Sequence, residues 1–145
     1  MEKISYDDVA RDFMRIVGLG RSSPDIRILS KLCRAFVKLP YENLTKIVRA
    51  HEFDSPEKRM RLPDIVLAEH LEFGAGGTCF SLTFFFGQVL RFAGFEAYPV
   101  FCDRSYGPAT HCALVVKVKG ANYLVDPGYL MEAPLPVPEV GESAM

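Results

Sequence analysis

Three residues of this 145-residue chain combine side-chain types and positions suited to covalent chemistry. Cys79 follows Gly76-Gly77-Thr78 and opens a phenylalanine-rich run. A thiol in the first turn of a helix lies among unpaired N–H groups at the positive end of the dipole, which favours the nucleophilic thiolate. The same N–H groups can stabilise an oxyanion while an acyl thioester forms and breaks. The two glycines allow a close approach by substrate or backbone. A nucleophilic thiol needs a base, and the base needs an orienting group. His111 opens the apolar run Ala113-Leu114-Val115-Val116, and Asp126 closes Tyr123-Leu124-Val125. Taken singly, each has a plainer role: Cys79 as a small apolar residue, His111 as a polar strand end, Asp126 as a turn starter before Pro127-Gly128. Taken together they point to a thiol–imidazole–carboxylate triad. His51 and His70 lie in charged surroundings and read as surface residues.

The elements that must position these groups follow from periodicity. The first half reads helical. Asp7 to Val17 places Val9, Phe13, Ile16 and Val17 on one stripe. Ser23-Pro24 reads as a hydroxyl cap with proline at the first helical position, followed by Ile26, Leu29, Leu32, Cys33 and Phe36 at helical spacing. Pro40 ends that segment, and Leu39 to Leu44 reads as a connector before a helical piece near Asn43–Arg49. His51–Arg61 reads as a solvated loop and Pro63–His70 as a helix with Ile65, Val66 and Leu67 inward. After the break at Gly74-Ala75-Gly76-Gly77, Thr78 can cap a helix from Cys79 to about Phe92, apolar nearly all round and therefore central. From Glu96 the period becomes that of strands: Ala97–Cys102, His111–Val118 and Asn122–Asp126, with Asp103–Ala109 a polar loop. The architecture predicted is α+β, a helical part (1–73) followed by a catalytic helix and an antiparallel sheet (74–145) in one domain.

Register decides whether Asp126 can serve His111. A two-residue turn at Lys119-Gly120 pairs Val118 with Ala121 and sets Asp126 opposite Ala113, so His111 is a diagonal neighbour on the same face at roughly 7–8 Å. A three-residue loop turns Asp126 to the opposite face. A Gly120-Ala121 turn keeps the face but leaves an offset of roughly 13 Å.

Composition limits the alternatives. The chain has 17 basic and 18 acidic side chains, a net charge of -1, which argues against nucleic acid or a membrane surface as partner. No apolar run approaches the ~18 residues of a membrane span, and the charged start lacks the pattern of a signal peptide. The cytoplasm is the expected compartment, with Cys33, Cys79, Cys102 and Cys112 as reduced thiols. There is no C-x-x-C pair, and adjacent His111 and Cys112 would point to opposite faces of a strand, so no metal is expected. Three visible strands and a tail with prolines at 134, 136 and 138 leave the sheet short of cover, as in a fragment or shortened form of something longer.

The order Cys, His, Asp on a helix followed by adjacent strands is that of papain-like and transglutaminase-like enzymes. More specifically, Gly76-Gly77-Thr78-Cys79-Phe80, the His111 strand and Tyr123-Leu124-Val125-Asp126-Pro127-Gly128-Tyr129 resemble the arylamine N-acetyltransferase family. Its hallmarks are R-G-G-x-C-F-E, H-x-x-L-x-V and Y-L-V-D-x-G-F. Leu39-Pro40-Tyr41-Glu42-Asn43-Leu44 is similar to its I-P-F-E-N-L, and Arg15 to Leu19 to its early R-I-G-L turn. The likeness runs from about Tyr6 to Pro138. It implies ping-pong transfer of an acetyl group from acetyl-CoA, through Cys79, to a small amine such as an arylamine or hydrazine. His111 would activate the thiol, Asp126 would orient His111, Thr110 would border the CoA channel and Phe80 would line the acceptor pocket.

Departures from the pattern are Ala75, Ser81 and Thr83 where the family has Arg, Glu and Asn. Glu42 thereby loses its expected arginine and should be solvated or paired to a residue such as Lys46. Family members are about twice as long, with further strands and a lid-like C-terminal domain that this chain is expected to lack. Two other readings remain open. A transglutaminase-like or cysteine-protease-like enzyme would use the same thiol on amides without CoA. A non-catalytic interaction module would use an open sheet edge to take a partner strand or form a homodimer.

Overall fold

Alternating charged and apolar residues wind α1 (Asp7–Ile16), which buries Ala10, Phe13 and Met14. The computed structural model describes residues 5–139; positions 1–4 and 140–145, including the first residues of the stretch read for a leader, lie outside the described residues. The inward stripe of α1 is shifted from the expected one, because Ile16 is the last helical residue and half exposed at the helix end. In α2 (Ile26–Phe36), Leu29, Leu32, Cys33 and Phe36 point inward as expected. Its cap is not Ser23-Pro24. Asp25 in extended conformation accepts a hydrogen bond from the Ile28 N–H at 2.9 Å, a cap two positions nearer the first turn than Ser23.

The stretch 51–61 is more ordered than a loop. Helix α3 (Leu44–Glu52) runs through His51, and Ser55 caps a single turn, α4 (Pro56–Arg59). Neither buries a whole residue, so their charged faces hid them. Helix α5 (Pro63–Phe73) outlasts the expected stop at His70 and ends at Gly74 in the left-handed conformation.

Helix α6 (Cys79–Phe92) is the central element. It packs on α1, α2 and α5 with one side and on the sheet with the other. Phe36 stacks on Phe86 with ring centroids 4.5 Å apart, and Phe85 meets both Phe13 and Phe36 edge-on. Each such buried side chain contributes roughly 1.5–3 kcal/mol through water release. The helix is not covered all round: Phe80 and Phe84 are about half exposed.

The sheet is antiparallel, in the order β1 (Glu96–Arg104), β2 (Gly107–Val118), β3 (Ala121–Val125), β4 (Leu135–Pro136). The expected polar loop 103–109 is absent. Both strands continue to a tight turn at Ser105-Tyr106, with a register irregularity between Cys102 and Arg104. His111 therefore lies inside β2 rather than at its start. Lys119-Gly120 forms the two-residue turn, both residues with positive φ (48° and 84°), and Val118 pairs with Ala121 through to Leu114 with Val125. A fourth, two-residue strand pairs Tyr123 with Pro136 at the sheet edge, the position open to proline. Among the described residues no helix is long and apolar enough to cross a membrane.

Candidate active site

The start of α6 is pinned before any chemistry is considered. Gly77 forms a parallel bridge to Tyr41, with Gly77 N–H donating to the Pro40 carbonyl at 3.1 Å and Glu42 N–H to the Gly77 carbonyl at 3.0 Å. The segment Leu39–Leu44 thus docks the loop that carries Cys79. A Cβ at position 76 would collide with the Pro40 carbonyl, which is why glycine stands there. At the head of the helix Ser81 Oγ accepts from the Thr78 N–H at 3.2 Å, serving the reach-back role that glutamate has in other capping boxes. His70 also holds this loop, its Nδ1 lying 2.8 Å from the Ala75 carbonyl, so it is half-buried scaffold rather than a free surface residue.

Glu42 has an arginine after all. Arg61, almost fully buried, places Nη1 3.4 Å from Glu42 Oε1 and donates to Thr45 Oγ1 at 2.7 Å and to Thr78 Oγ1 at 2.9 Å. The pairing with Lys46 considered from the sequence is replaced by this buried contact. Burial opposes ionisation of Glu42, but hydrogen bonds from Thr45, together with the Arg61 charge, outweigh it and hold the carboxyl below its ordinary value. Arg61 therefore links the Glu42 motif to the N-cap of the cysteine helix, across the place where Ala75 has no side chain to do so.

The two-residue turn at Lys119-Gly120 brings imidazole and carboxylate to one face. His111 Nε2 lies 2.6 Å from Asp126 Oδ2, and the two are only 2% and 5% exposed. Asp126 Oδ1 accepts from the Tyr129 N–H at 3.1 Å, so the carboxylate is held at both oxygens. The Tyr129 ring lies over the imidazole at 4.7 Å. Cys79, 5% exposed, completes the group. A Cβ added at Gly128 would lie 2.9 Å from Cys79 Cβ and 3.1 Å from His111 Cε1, so thiol-bearing carbon and imidazole flank one point where only glycine fits. A buried acceptor, a nitrogen base and a thiol in this order can pass a proton from sulfur to imidazole while the carboxylate fixes the ring.

The other cysteines differ. Burial pushes the Cys33 thiol up to about 12, and burial pushes Cys112 up to about 11 against a hydrogen bond with Thr83. Thr110 is half-buried and donates its hydroxyl to the Gly107 carbonyl at 3.0 Å. Phe80 faces outward with Phe101, ring centroids 6.4 Å apart, over a cavity of about 170 Å³ also lined by Phe84, Pro99, Cys112 and Leu114. Four residues of this region were not singled out from the sequence. Gly128 was visible only as a turn residue, Arg61 lay in a charged stretch, His70 had no distinguishing neighbour, and Arg104 fell in the supposed loop. Arg104 places Nη2 2.7 Å from His111 Nδ1 and donates to the Tyr106 hydroxyl at 2.8 Å.

The α+β layers and a cysteine heading the central helix define a papain-like core. Within that class, a sequence model of the N-acetyltransferase family matches residues 25–143, and the chain belongs to this family, of the arylamine N-acetyltransferase type. The arylamine N-acetyltransferase of Mycobacterium abscessus shares the fold with a TM-score of 0.69 at 23% identity, over 96% of this chain and 51% of that one. An arylamine N-acetyltransferase from Bacillus cereus, described with a Cys-His-Glu catalytic triad, aligns at TM-score 0.62 and 22% identity over 89% of this chain and 53% of its own. Proansamycin X synthase of Amycolatopsis mediterranei is 28% identical over 131 residues, 84% of this chain and 48% of that protein. The chain spans about half the length of these relatives.

Proposed function

We propose that the chain is an acyltransferase that moves an acetyl group from acetyl-CoA to an arylamine or similar small amine through a thioester on Cys79. The observation that carries this reading is the 2.6 Å contact of His111 Nε2 with Asp126 Oδ2 on the face that Cys79 shares across Gly128. In the first half-reaction His111 Nδ1 takes the Cys79 proton and the thiolate attacks the acetyl carbonyl. The tetrahedral oxyanion meets N–H groups at the start of α6 and collapses, and the CoA sulfur leaves with the proton from the imidazolium. In the second, an amine attacks the Cys79 thioester, His111 accepts its proton, and the thiol is regenerated as the amide departs. Asp126 orients the ring and stabilises its charged form throughout.

Membership of the family supports the acyl chemistry. A thiol, an imidazole and a carboxylate is also the set named for the Bacillus cereus relative, there with glutamate. In the same reading Thr110 borders the path of the acyl donor, and Phe80 with Phe101 and Phe84 offers aromatic faces to the acceptor ring. The thiol chemistry requires no metal ion, and the cytoplasm is the compartment that keeps Cys79 reduced. A homodimer through the free edge of β1 belongs to the same proposal. The test is turnover: release of CoA from acetyl-CoA in step with N-acetylation of an arylamine, in the chain and in Cys79→Ser. Amide cleavage or transamidation without CoA by the same thiol would instead establish the transglutaminase-like reading.

A further inference from the structure

Phe80, Thr83, Phe84, Gly87 and Arg91 recur along α6 at the spacing of one helical stripe, and all five line the cavity of about 170 Å³ between the helix and the sheet. We propose that Gly87 and Arg91 determine specificity there, fitting the cavity to an aromatic amine with a carboxylate at the end of the ring opposite its nitrogen. The direction of the amine rests on the acyl-transfer reading; binding of the ring and its carboxylate does not. Glycine in a helix interior is less stable than alanine, and the packing gives no reason for it at position 87. Its φ is outside the left-handed region. A Cβ there would meet Leu114 Cδ2 at 3.5 Å and Arg91 Nη1 and Nη2 at 3.7 and 3.8 Å, ordinary contact distances. Gly76 and Gly128 differ, since a Cβ at either would collide with the Pro40 backbone or with Cys79. What glycine leaves at 87 is open floor in the cavity, beside the guanidinium.

The lining says what kind of group fits. Phe80, Phe84 and Phe101 present aromatic faces. Thr83 already donates its hydroxyl to the Cys112 carbonyl at 3.1 Å. Among the described residues Arg91 is the one charged group of the lining; it is exposed, and no carboxylate lies within ion-pairing distance of it. A planar carboxylate accepts two parallel N–H bonds from such a guanidinium. Position sets the length of the ligand. Cys112 lines the near end, and its side chain hydrogen-bonds with that of Cys79. Gly87 and the guanidinium beside it lie two turns and more beyond Cys79, about 12 Å along the helix axis. An acyl carbon on the Cys79 sulfur and a near-attack separation of about 3 Å take up part of that span. The rest is the length of one benzene ring with amine and carboxylate at opposite ends.

The test begins without CoA. Titration calorimetry should find 4-aminobenzoate bound about tenfold more tightly than neutral 4-aminobenzamide, the low end for charge-assisted hydrogen bonds because the arginine is exposed to water. Arg91→Met should bring the two affinities together, and Arg91→Lys, a point charge without the planar fork, should restore only part of the difference. Gly87→Ala should weaken both ligands while the melting temperature stays level or rises, since alanine favours the helix; the loss then belongs to the cavity and not to the fold. With acetyl-CoA present, 4-aminobenzoate should be turned over with a higher kcat/KM than 3-aminobenzoate, whose acid group falls short of Arg91. Equal affinity for acid and amide in the parent chain, a preference that survives Arg91→Met, full binding by Gly87→Ala, or a meta acid used as well as the para acid overturns the proposal. A chain that binds with these preferences yet never takes an acetyl group refutes the acyl-transfer reading and leaves the binding site standing; acetylation of Cys79 without the preferences does the reverse.

Discussion

Replacing Arg61 by alanine removes the link between the Glu42 segment and the head of the cysteine helix, and the structure sets the size of the loss. The side chain is 4% exposed and makes two hydrogen bonds from a charged donor, at 2.7 Å to Thr45 and 2.9 Å to Thr78, besides the 3.4 Å contact with Glu42. Bonds of this kind are worth roughly 1.5–3 kcal/mol each. Burial of the guanidinium works against them, lowering its affinity for its proton against the pull of Glu42 and Glu69. Glu42 is partly open to water and retains its Thr45 bonds at 2.9 and 2.6 Å, so it is not stranded. Discounting for both leaves a destabilisation of about 3 kcal/mol, at the lower end of the roughly 3–5 kcal/mol of a fully buried pair broken on one side. At roughly 2–4 °C per kcal/mol for a domain near this size, the melting temperature should fall by about 10 °C. Thermal unfolding followed by circular dichroism reads it directly, and Arg61→Lys, which can reach one of the three acceptors well, should recover less than half. A fall under about 2 °C would refute the assignment of Arg61 as the structural partner of this loop.

Three further outcomes follow from the same geometry. Gly128→Ala forces a carbon between Cys79 and His111, and displacement of reacting groups by a fraction of an ångström to an ångström should cost up to about a hundredfold in turnover, while overpacking lowers the melting temperature by roughly 2–10 °C. Wild-type turnover in that variant would show that the two groups do not need this spacing. Peptide mapping after brief alkylation of the native chain should find Cys79 labelled while Cys33 and Cys112, pushed up to about 12 and about 11, stay unmodified; equal labelling contradicts it. Glu42 is held below its ordinary value of 4.5, so its contribution to stability is complete above that value and disappears as the pH falls through the folded one. The stability difference between the chain and Glu42→Gln should accordingly shrink in acid, and a difference that grows there would reverse the sign of the argument.

What was legible in the sequence was what short-range rules control. The Lys119-Gly120 turn admits few registers, and the pairing of Val118 with Ala121 carries through to place Asp126 against His111. The Gly74–Gly77 break and the phenylalanine run marked α6, because a glycine stop and an apolar stretch are both local signals. Asp25 and Ser23 are both competent caps, and only the path of the chain chooses between them. The partner of Glu42 was hidden for a different reason: Arg61 is 19 residues away, in a stretch whose charge suggested solvent, and only tertiary packing carries its guanidinium to Thr78. Arg104 was hidden by Gly107-Pro108, a pair that signals a loop but here begins a strand. Residues that act by reaching across the fold leave no spacing to read.

The central claim is that sulfur, imidazole and carboxylate act on one acyl group at Cys79, and the most direct measurement is the intact mass of the chain after brief incubation with acetyl-CoA alone. The account predicts the addition of one acetyl group per chain, located on the Cys79 peptide, absent in Cys79→Ser, slowed in His111→Ala, and discharged when an arylamine is added. No acetyl adduct, or one spread over lysines and other cysteines and indifferent to His111, would contradict it.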